Sequence, residues 1–138
     1  MTLEHENADR LRKAWAAWAE TKGTDIMMWE SLMAPDIKLF SLADGDPHIP
    51  FTVERSGFGQ VYEYLEGLTG NFSMNLWEID DTIAEGDRVV GIGRTGWTCK
   101  STGKHFVTPI VIITRWRDGL ISEYGEYYDT AKVAASTV

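Results

Sequence analysis

A carboxylate and two phenols near the C-terminal end of the sequence are spaced so that they can share one face of a β-hairpin with aliphatic side chains. Two segments of alternating hydrophobicity, 106–117 and 120–129, are separated by Asp118-Gly119. A three-residue turn over 117–119, with glycine in the left-handed region, predicts a bulge and pairs Trp116 with Leu120. Counting on from that pair sets three pairs on one face: Ile112 with Tyr124, Ile110 with Glu126, and Thr108 with Tyr128.

Glu126 is the candidate acid and base of this hairpin. A carboxyl group among apolar side chains has a raised pKa, which suits general acid–base catalysis near neutral pH. Tyr124 and Tyr128 are candidates to donate a hydrogen bond to a developing oxyanion. A two-residue turn would shift the pairing by one residue and set Glu126 opposite Val111. The alternative role of Glu126 is that of a solvated acid on the outer face. We favour the three-residue turn because it gathers aliphatic and tyrosine side chains on one interior face.

Other side chains are candidates for the same site. His48, at the tip of the long loop 43–56, is a candidate acid–base residue at a pocket edge, although an exposed loop histidine is the more common outcome. Arg94 is a candidate to bind an anionic or carbonyl group, although such an arginine more often forms a surface ion pair. The candidate substrate-binding residues are Trp15, Trp18, Trp29, Phe40, Trp97, Thr108, Ile110 and Ile112. The tryptophans have the alternative role of filling the core.

Apolar residues at helical spacing occupy the first half of the chain. The first helix carries Leu11, Trp15 and Trp18 on one face, and a second, shorter helix ends ahead of Pro35. A third helix, capped by Ser56, is predicted to be the last one. These helices must position the strands that follow.

Period-two alternation occupies most of the remainder. The predicted strands cover 37–42, 72–84, 88–100, 106–117 and 120–129. Short turn sequences join the last four, which predicts an antiparallel meander. We therefore expect a single α+β domain over 1–138, with three helices from the N-terminal half packed on the concave face of a cone-shaped, curved antiparallel sheet. The tail from about residue 132 is expected to be frayed.

Charge and composition argue against several kinds of partner. Asp and Glu number 21 against 13 Lys and Arg, a formal net charge of −8 without a basic patch, which argues against nucleic acid and an anionic membrane surface. The one cysteine, Cys99, cannot form an internal disulfide, and no Cys/His cluster has the spacing of a zinc site. No segment has the length and apolarity of a signal peptide or a membrane span. We expect a cytoplasmic protein that uses no metal and no organic cofactor.

Short motifs follow one another along nearly the whole chain. They are Met33-Ala34-Pro35-Asp36, Ile49-Pro50-Phe51, Gly57 at the start of a helix, Gly86-Asp87-Arg88-Val89-Val90, and the run Arg115-x-Arg117-Asp118-Gly119-x-Ile121 that leads to Glu123 and Asp129. In this order they resemble the nuclear transport factor 2-like superfamily, in particular its SnoaL-type polyketide-cyclase and ketosteroid-isomerase-like branches. The resemblance implies a cone with a deep apolar pocket between helices and sheet.

The resemblance also implies a catalytic role for Glu126, because SnoaL-like cyclases and limonene-epoxide-hydrolase-like members have a catalytic aspartate at the corresponding position. Other functional residues of these relatives are absent. Ile112 stands where the cyclases have a histidine and the isomerases a protonated carboxyl, Ser41 is near the position of the isomerase base, and Ala17 or Trp18 replaces the isomerase tyrosine. Epoxide-hydrolase-like members carry an arginine and an aspartate on the middle strand. Arg94 is a candidate counterpart of that arginine, and the aspartate has no counterpart in this sequence.

Two functions follow from this resemblance. One is a SnoaL-like or ketosteroid-isomerase-like enzyme that moves a proton on a small, apolar, oxygenated molecule or activates water. The other is a noncatalytic module that binds a ligand or another protein. Relatives often pair through the sheet, so a homodimer is expected, with Trp77 or Trp116 as outer-face contacts. The three-residue turn points Trp116 inward, so the predicted hairpin and this contact conflict.

Overall fold

Helical segments precede the long strands, as the hydrophobic periodicity predicts. In the computed structural model, which describes residues 2–138, α1 spans Leu3–Glu20 and α2 spans Phe58–Asn71, with 3₁₀ helices at Ile26–Leu32 and Pro50–Thr52. The other elements are β1 (Met33–Ser41), β2 (Arg55–Ser56), β3 (Phe72–Glu85), β4 (Arg88–Cys99), β5 (His105–Arg117), β6 (Leu120–Tyr128) and helix α3 (Thr130–Ser136). The predicted α+β class, with three helices in the N-terminal half, is confirmed.

The six strands form one curved, unclosed sheet in the order β2-β1-β6-β5-β4-β3. Strands β3 to β6 are antiparallel neighbours joined by hairpins. Strand β1 lies parallel to β6, so the sheet is mixed, and the prediction of an entirely antiparallel sheet is wrong in this respect. A hairpin determines the relative direction of two consecutive strands only. Strands β1 and β6 are separated in the sequence by β2 to β5, so no hairpin determines their relative direction.

The hairpin between β5 and β6 has a different turn from the predicted one, yet the same residues face inward. Asp118 and Gly119 have positive φ angles of 53° and 77° and form a two-residue turn that pairs Arg117 with Leu120. A bulge beside Trp116 then shifts the register by one more residue. The observed pairs are Ile110 with Tyr128, Ile112 with Glu126, and Thr114 with Tyr124. Two one-residue shifts restore the predicted face, because side chains alternate along a strand.

The helices cover the concave face of the sheet, which carries the side chains of Ile110 and Ile112. Helix α1 buries Leu11, Trp15 and Trp18 in the core, and α2 buries its own apolar residues there. On the buried faces of α1 and α2, the apolar residues have the helical spacing from which these two helices were predicted. Within residues 2–138, no helix is long and apolar enough to cross a membrane.

The segment after β6 is not frayed, contrary to the prediction. Asp129 caps α3 by accepting a hydrogen bond from the backbone N–H of Lys132 at 3.2 Å. Val133 and Ser136 are buried, and Thr102 donates a hydrogen bond to the Ser136 carbonyl. Helix α2 is therefore not the last helix. So short a helix depends on tertiary contacts that hydrophobic periodicity does not reveal.

Candidate active site

A cavity with two compartments lies between the concave face of the sheet and the helices. The cavity volume is about 50 Å³ in the front compartment and about 20 Å³ in the rear compartment. Both compartments are lined by Leu68, Trp77 and Glu126. The front compartment is also lined by Ile49, Phe51, Thr52, Tyr64, Phe72, Thr95, Trp97, Phe106, Thr108, Ile110, Tyr128 and Val133, and the rear compartment by Trp18, Trp29, Met33, Leu39, Leu65 and Tyr124. Among residues 2–138, no lysine, arginine or histidine lines either compartment.

Glu126 is the acidic residue of this cavity. Its neighbours across the sheet are Ser41 on β1 and Ile112 on β5. None of the side-chain hydrogen bonds within residues 2–138 involves its carboxylate, and burial raises the pKa of the group to about 7. Near neutral pH both the carboxylic acid and the carboxylate are therefore populated, which suits a group that accepts and returns a proton.

Two tyrosines on β6 flank Glu126 and present hydroxyl groups. Tyr128 shares a hydrogen bond with Ser41. The Tyr124 oxygen accepts a hydrogen bond from Trp15 Nε1 at 3.0 Å, which leaves its own hydrogen free to donate. Burial raises the pKa of Tyr128 to about 12 and the pKa of Tyr124 well above its usual range. Both phenols are therefore protonated donors at any pH at which Glu126 titrates.

A third tyrosine, Tyr64 on α2, lines the front compartment and was missed by the sequence analysis. It is 2% exposed. Burial raises the pKa of its phenol well above the usual range, and the charge of Glu126 raises it further. A signal was present, because Tyr64 lies three residues after Val61 and four before Leu68, on the predicted apolar face of the helix.

The structure brings most of the sequence-predicted residues to the cavity. Glu126 lies where the two compartments meet, as the predicted face of the hairpin requires. The others that line one compartment or the other are Trp18, Trp29, Trp97, Thr108, Ile110, Tyr124 and Tyr128. They come from α1, the first 3₁₀ helix and the last three strands, so the cavity depends on the whole fold.

His48 and Arg94, both candidates for the site, line neither compartment, and each has the more common alternative role that the sequence analysis gave it. The His48 side chain is 51% exposed, and its Nδ1 lies 3.2 Å from the Asp46 carboxylate, because a local turn folds these two residues together. Arg94 lies 3.4 Å from Glu78 on the convex face. Its neighbour Thr95 faces the cavity, and strand alternation therefore directs Arg94 outward.

Phe40, Trp15 and Ile112 do not line the cavity either. Phe40 is on the convex face, edge-on to Tyr127 with ring centroids 6.0 Å apart, because it alternates with inward-facing residues of β1. Trp15 and Ile112 are buried in the core, outside the lining of both compartments. Trp15 acts on the site indirectly, through its hydrogen bond to Tyr124.

Trp77 and Trp116 face inward, so the prediction that they are outer-face contacts is wrong. The Trp116 indole donates to Thr114 Oγ1 at 2.9 Å within the core. Strand β3 has an irregularity between Met74 and Leu76. The extra residue reverses the alternation, and Trp77 lines both compartments as a result.

The loop before β2 and the final helix supply lining residues that were not among the candidate substrate-binding residues. Ile49, Phe51 and Thr52 come from the loop, and Val133 comes from α3. The apolar Ile49-Pro50-Phe51 sequence inside a polar loop was the available signal for the first group. Within residues 2–138, no group of three or more His, Cys, Asp or Glu side chains is arranged to hold a metal ion.

Comparison with known proteins supports the fold. Residues 11–124 match the family model of the SnoaL-like domain. No curated protein sequence matches the chain. An NTF2-like protein from Burkholderia xenovorans LB400 is similar to this chain over 98% of each chain, with 21% sequence identity and a TM-score of 0.81.

Two further solved structures were obtained with small molecules. A protein with a ketosteroid isomerase-like fold from Catenulispora acidiphila DSM 44928, in complex with trimethylamine, has 21% identity and a TM-score of 0.73, covering 88% of this chain and 89% of its own. TerC, co-crystallized with polyporic acid, has 21% identity and a TM-score of 0.79, covering 96% of this chain and 98% of its own. At these identities the similarity shows a shared fold alone.

Proposed function

Because the chain belongs to the SnoaL-like domain family, we propose that it is an enzyme that transfers protons on a small, largely apolar, oxygen-containing molecule. Glu126 is the general base and acid of this proposal. The observation that carries it is an unpaired carboxyl, with a pKa raised to about 7, at the meeting point of two largely apolar compartments. The complex of the Catenulispora acidiphila protein with trimethylamine and the co-crystals of TerC with polyporic acid are further support, since proteins of this fold associate with small molecules.

The proposed reaction begins with proton removal from a carbon next to a carbonyl group. The Glu126 carboxylate accepts that proton, and the electron pair of the broken C–H bond moves to the carbonyl oxygen. The phenol of Tyr124, which lines the rear compartment and has its own hydrogen free, donates a hydrogen bond to the resulting oxyanion. Glu126 then returns the proton to the same carbon or to a conjugated one, and the latter gives an isomer. No electron carrier or metal takes part in these steps.

Deuterium exchange into simple ketones tests the proposal. A panel of cyclic and aryl ketones is incubated in D₂O with wild-type protein, and exchange at the carbon next to the carbonyl is followed by NMR. We expect the wild type to accelerate exchange of at least one ketone and Glu126→Gln to lose this acceleration. The matched control is Glu123→Gln, since Glu123 lies on the same strand but faces outward and pairs with Arg115 at 3.2 Å. Equal exchange with wild type and Glu126→Gln would contradict the proposal.

A noncatalytic binding module is the second candidate function. The observation in its favour is Ile112, which lies directly opposite Glu126 and is fully buried, so no second acid–base group faces the carboxyl from β5. In this case the cavity holds a ligand and Glu126 anchors it. Ligand binding without any exchange that depends on Glu126 would favour the module over the enzyme.

We propose in addition that two copies of the chain pair through the convex face of the sheet. The register sets Ile83, Val90 and Ile113 side by side across β3, β4 and β5, and Ile92 and Val111 form the next row. Several of these aliphatic side chains are exposed, and an apolar patch of this kind is typical of a protein interface.

Size-exclusion chromatography with light scattering tests the pairing. We expect the wild type to have twice the mass of one chain and Ile113→Lys to have the mass of one chain. Met27→Lys is the control, because Met27 is also exposed but lies on the first 3₁₀ helix. A monomeric wild type would rule out the pairing.

A further inference from the structure

The indole N–H groups divide into two sets. The first set has acceptors within the protein: Trp15 donates to Tyr124 at 3.0 Å, Trp97 to Thr95 at 2.7 Å, and Trp116 to Thr114 at 2.9 Å. Trp18, Trp29 and Trp77 form the second set, for which no acceptor occurs among the hydrogen bonds of residues 2–138. All three line the rear compartment. The three residues whose indole N–H groups lack an acceptor therefore all line the compartment whose lining also includes Glu126.

Donors without partners are unusual in a folded interior. Trp18 and Trp29 are 2% and 3% exposed as whole residues, but among these three indoles of residues 2–138 only Trp77 has an Nε1 atom that is itself fully buried without a hydrogen-bond partner. Leaving such a group unpaired costs about 1–3 kcal/mol, so buried N–H groups nearly always have an acceptor. A bound molecule that carries an acceptor oxygen would remove this cost at the rear compartment.

The charges around the compartment restrict the kind of acceptor. Glu126 is the ionisable carboxyl in its lining, and no cationic side chain is present there. An anionic ligand would be desolvated beside Glu126 without a counter-charge, which is strongly unfavourable. An ammonium group has no lone pair to offer to an indole N–H. An uncharged oxygen is the acceptor that fits both restrictions.

We propose that the rear compartment binds an uncharged carbonyl or ether oxygen of the substrate through the indole N–H of Trp77, with a second hydrogen bond from Trp18 or Trp29. The inference rests on the proposed function only in placing the substrate beside Glu126. With the oxygen held there, the apolar remainder of the substrate extends into the front compartment, and the carbon next to a carbonyl lies near the Glu126 carboxylate. Trp77 and the second tryptophan donor are then substrate-binding residues rather than core filling alone.

A matched pair of probes separates hydrogen bonding from apolar contact. Cyclohexanone carries the acceptor oxygen, and methylenecyclohexane has the same ring with a CH₂ group in its place. Each is titrated into protein labelled with ¹⁵N at the tryptophan indoles, and the indole N–H signals are followed by NMR. We expect the ketone, but not the alkene, to shift the signals of Trp77, Trp18 or Trp29 downfield, while the Trp116 signal stays in place.

Substitution by phenylalanine removes the N–H and keeps an aromatic ring. We expect Trp77→Phe to raise the ratio of the ketone Kd to the alkene Kd by roughly three- to tenfold, the range for one uncharged hydrogen bond. Trp18→Phe and Trp29→Phe are measured in the same way. Trp116→Phe is the control, since its N–H already has a threonine acceptor, and it should leave the ratio unchanged.

The proposal is overturned if neither probe binds up to its solubility, if none of the three indole signals responds selectively to the ketone, or if the ratio is unchanged in all three variants. If a variant does not fold, the wild-type shifts decide the question. The proposed catalysis fails separately, when Glu126→Gln leaves ketone exchange unchanged. Selective ketone binding together with that result would keep the indole site and reject the general base.

Discussion

The two faces of strands β4 to β6 carry similar residue types, but their charged side chains differ in burial and in ion pairing. On the convex face, charged groups are paired: Arg94 with Glu78 at 3.4 Å and Arg115 with Glu123 at 3.2 Å. On the concave face, Glu126 has no partner, and burial raises its pKa to about 7. Glu123 and Glu126 are three residues apart on one strand, so alternation alone separates a screened surface acid from a candidate base. The face, rather than the residue type, determines the chemistry.

The aliphatic residues show the same contrast. Ile110 and Ile112 are 2% and 0% exposed on the concave face, whereas Ile113 is 37% exposed on the convex face. The concave side is covered by helices of this chain, and the convex side is available for another molecule. A substitution on one face can therefore serve as the control for a substitution on the other.

The largest effect is expected from removing the carboxylate on the concave face. Glu126→Gln keeps the side-chain shape but cannot accept a proton, and we expect the exchange rate of a responsive ketone to fall about 10²- to 10⁴-fold. Glu123→Gln should leave that rate unchanged. If the exchange rate fell equally in both variants, the position of a carboxylate on the concave or the convex face would not determine its role in catalysis.

The same pair of variants should differ in how stability depends on pH. Burial raises the Glu126 pKa from an ordinary value near 4.5 to about 7 in the folded protein, so the folded state favours the protonated group. The wild type therefore loses stability relative to Glu126→Gln as pH rises from about 4.5 to about 7, and the difference is constant above that. We expect Glu126→Gln to be more stable at pH 8 by about 3 kcal/mol and equally stable at pH 4.

Urea unfolding at several pH values measures this difference. The corresponding comparison for Glu123→Gln should show no gain of stability with rising pH, since Glu123 lies on the surface and pairs with Arg115. A pH-independent difference between wild type and Glu126→Gln would show that the folded protein does not hold the carboxyl in its protonated form.

Glycines on the two faces test the difference in packing. A Cβ at Gly91 would lie 2.3 Å from the Trp15 ring, and a Cβ at Gly125 would lie 2.4 Å from the Phe40 ring. Trp15 is buried and bonded to Tyr124, whereas Phe40 is only half-buried and can move aside. We expect Gly91→Ala to lower the free energy of unfolding by about 2–3 kcal/mol and Gly125→Ala by about 1 kcal/mol or less. Equal losses in urea unfolding would contradict a rigid concave face and an adaptable convex face.

Much of this fold could be predicted from local signals, because each strand is bounded by turn residues such as Asp118 and Gly119. The face of Glu126 was also predicted, although the turn was not, since the true turn and the bulge beside Trp116 together shift the register by two residues. A single one-residue error would have placed the carboxylate outside. The predicted face of Glu126 is correct because the register error is an even number of residues.

The features that sequence reasoning did not predict depend on contacts between distant segments. The irregularity that turns Trp77 inward leaves no mark in the hydrophobic pattern of β3. The parallel pairing of Ser41 with Glu126 joins strands from opposite ends of the chain. Tyr64 is the exception, because its helical spacing was visible and only its proximity to Glu126 was not.

The smallest effect is expected on the convex face, at Arg94. Its side chain is 57% exposed and lies 3.4 Å from the half-exposed Glu78, a type of pair that contributes little to stability. We expect Arg94→Ala to change the free energy of unfolding by less than about 0.5 kcal/mol and to leave ketone exchange unchanged. A large loss of exchange would mean that Arg94 reaches the substrate, and the assignment of chemistry to the concave face would then be incomplete. An unchanged rate would show that the Arg94–Glu78 pair on the convex face takes no part in the exchange, as the assignment of the chemistry to Glu126 on the concave face requires.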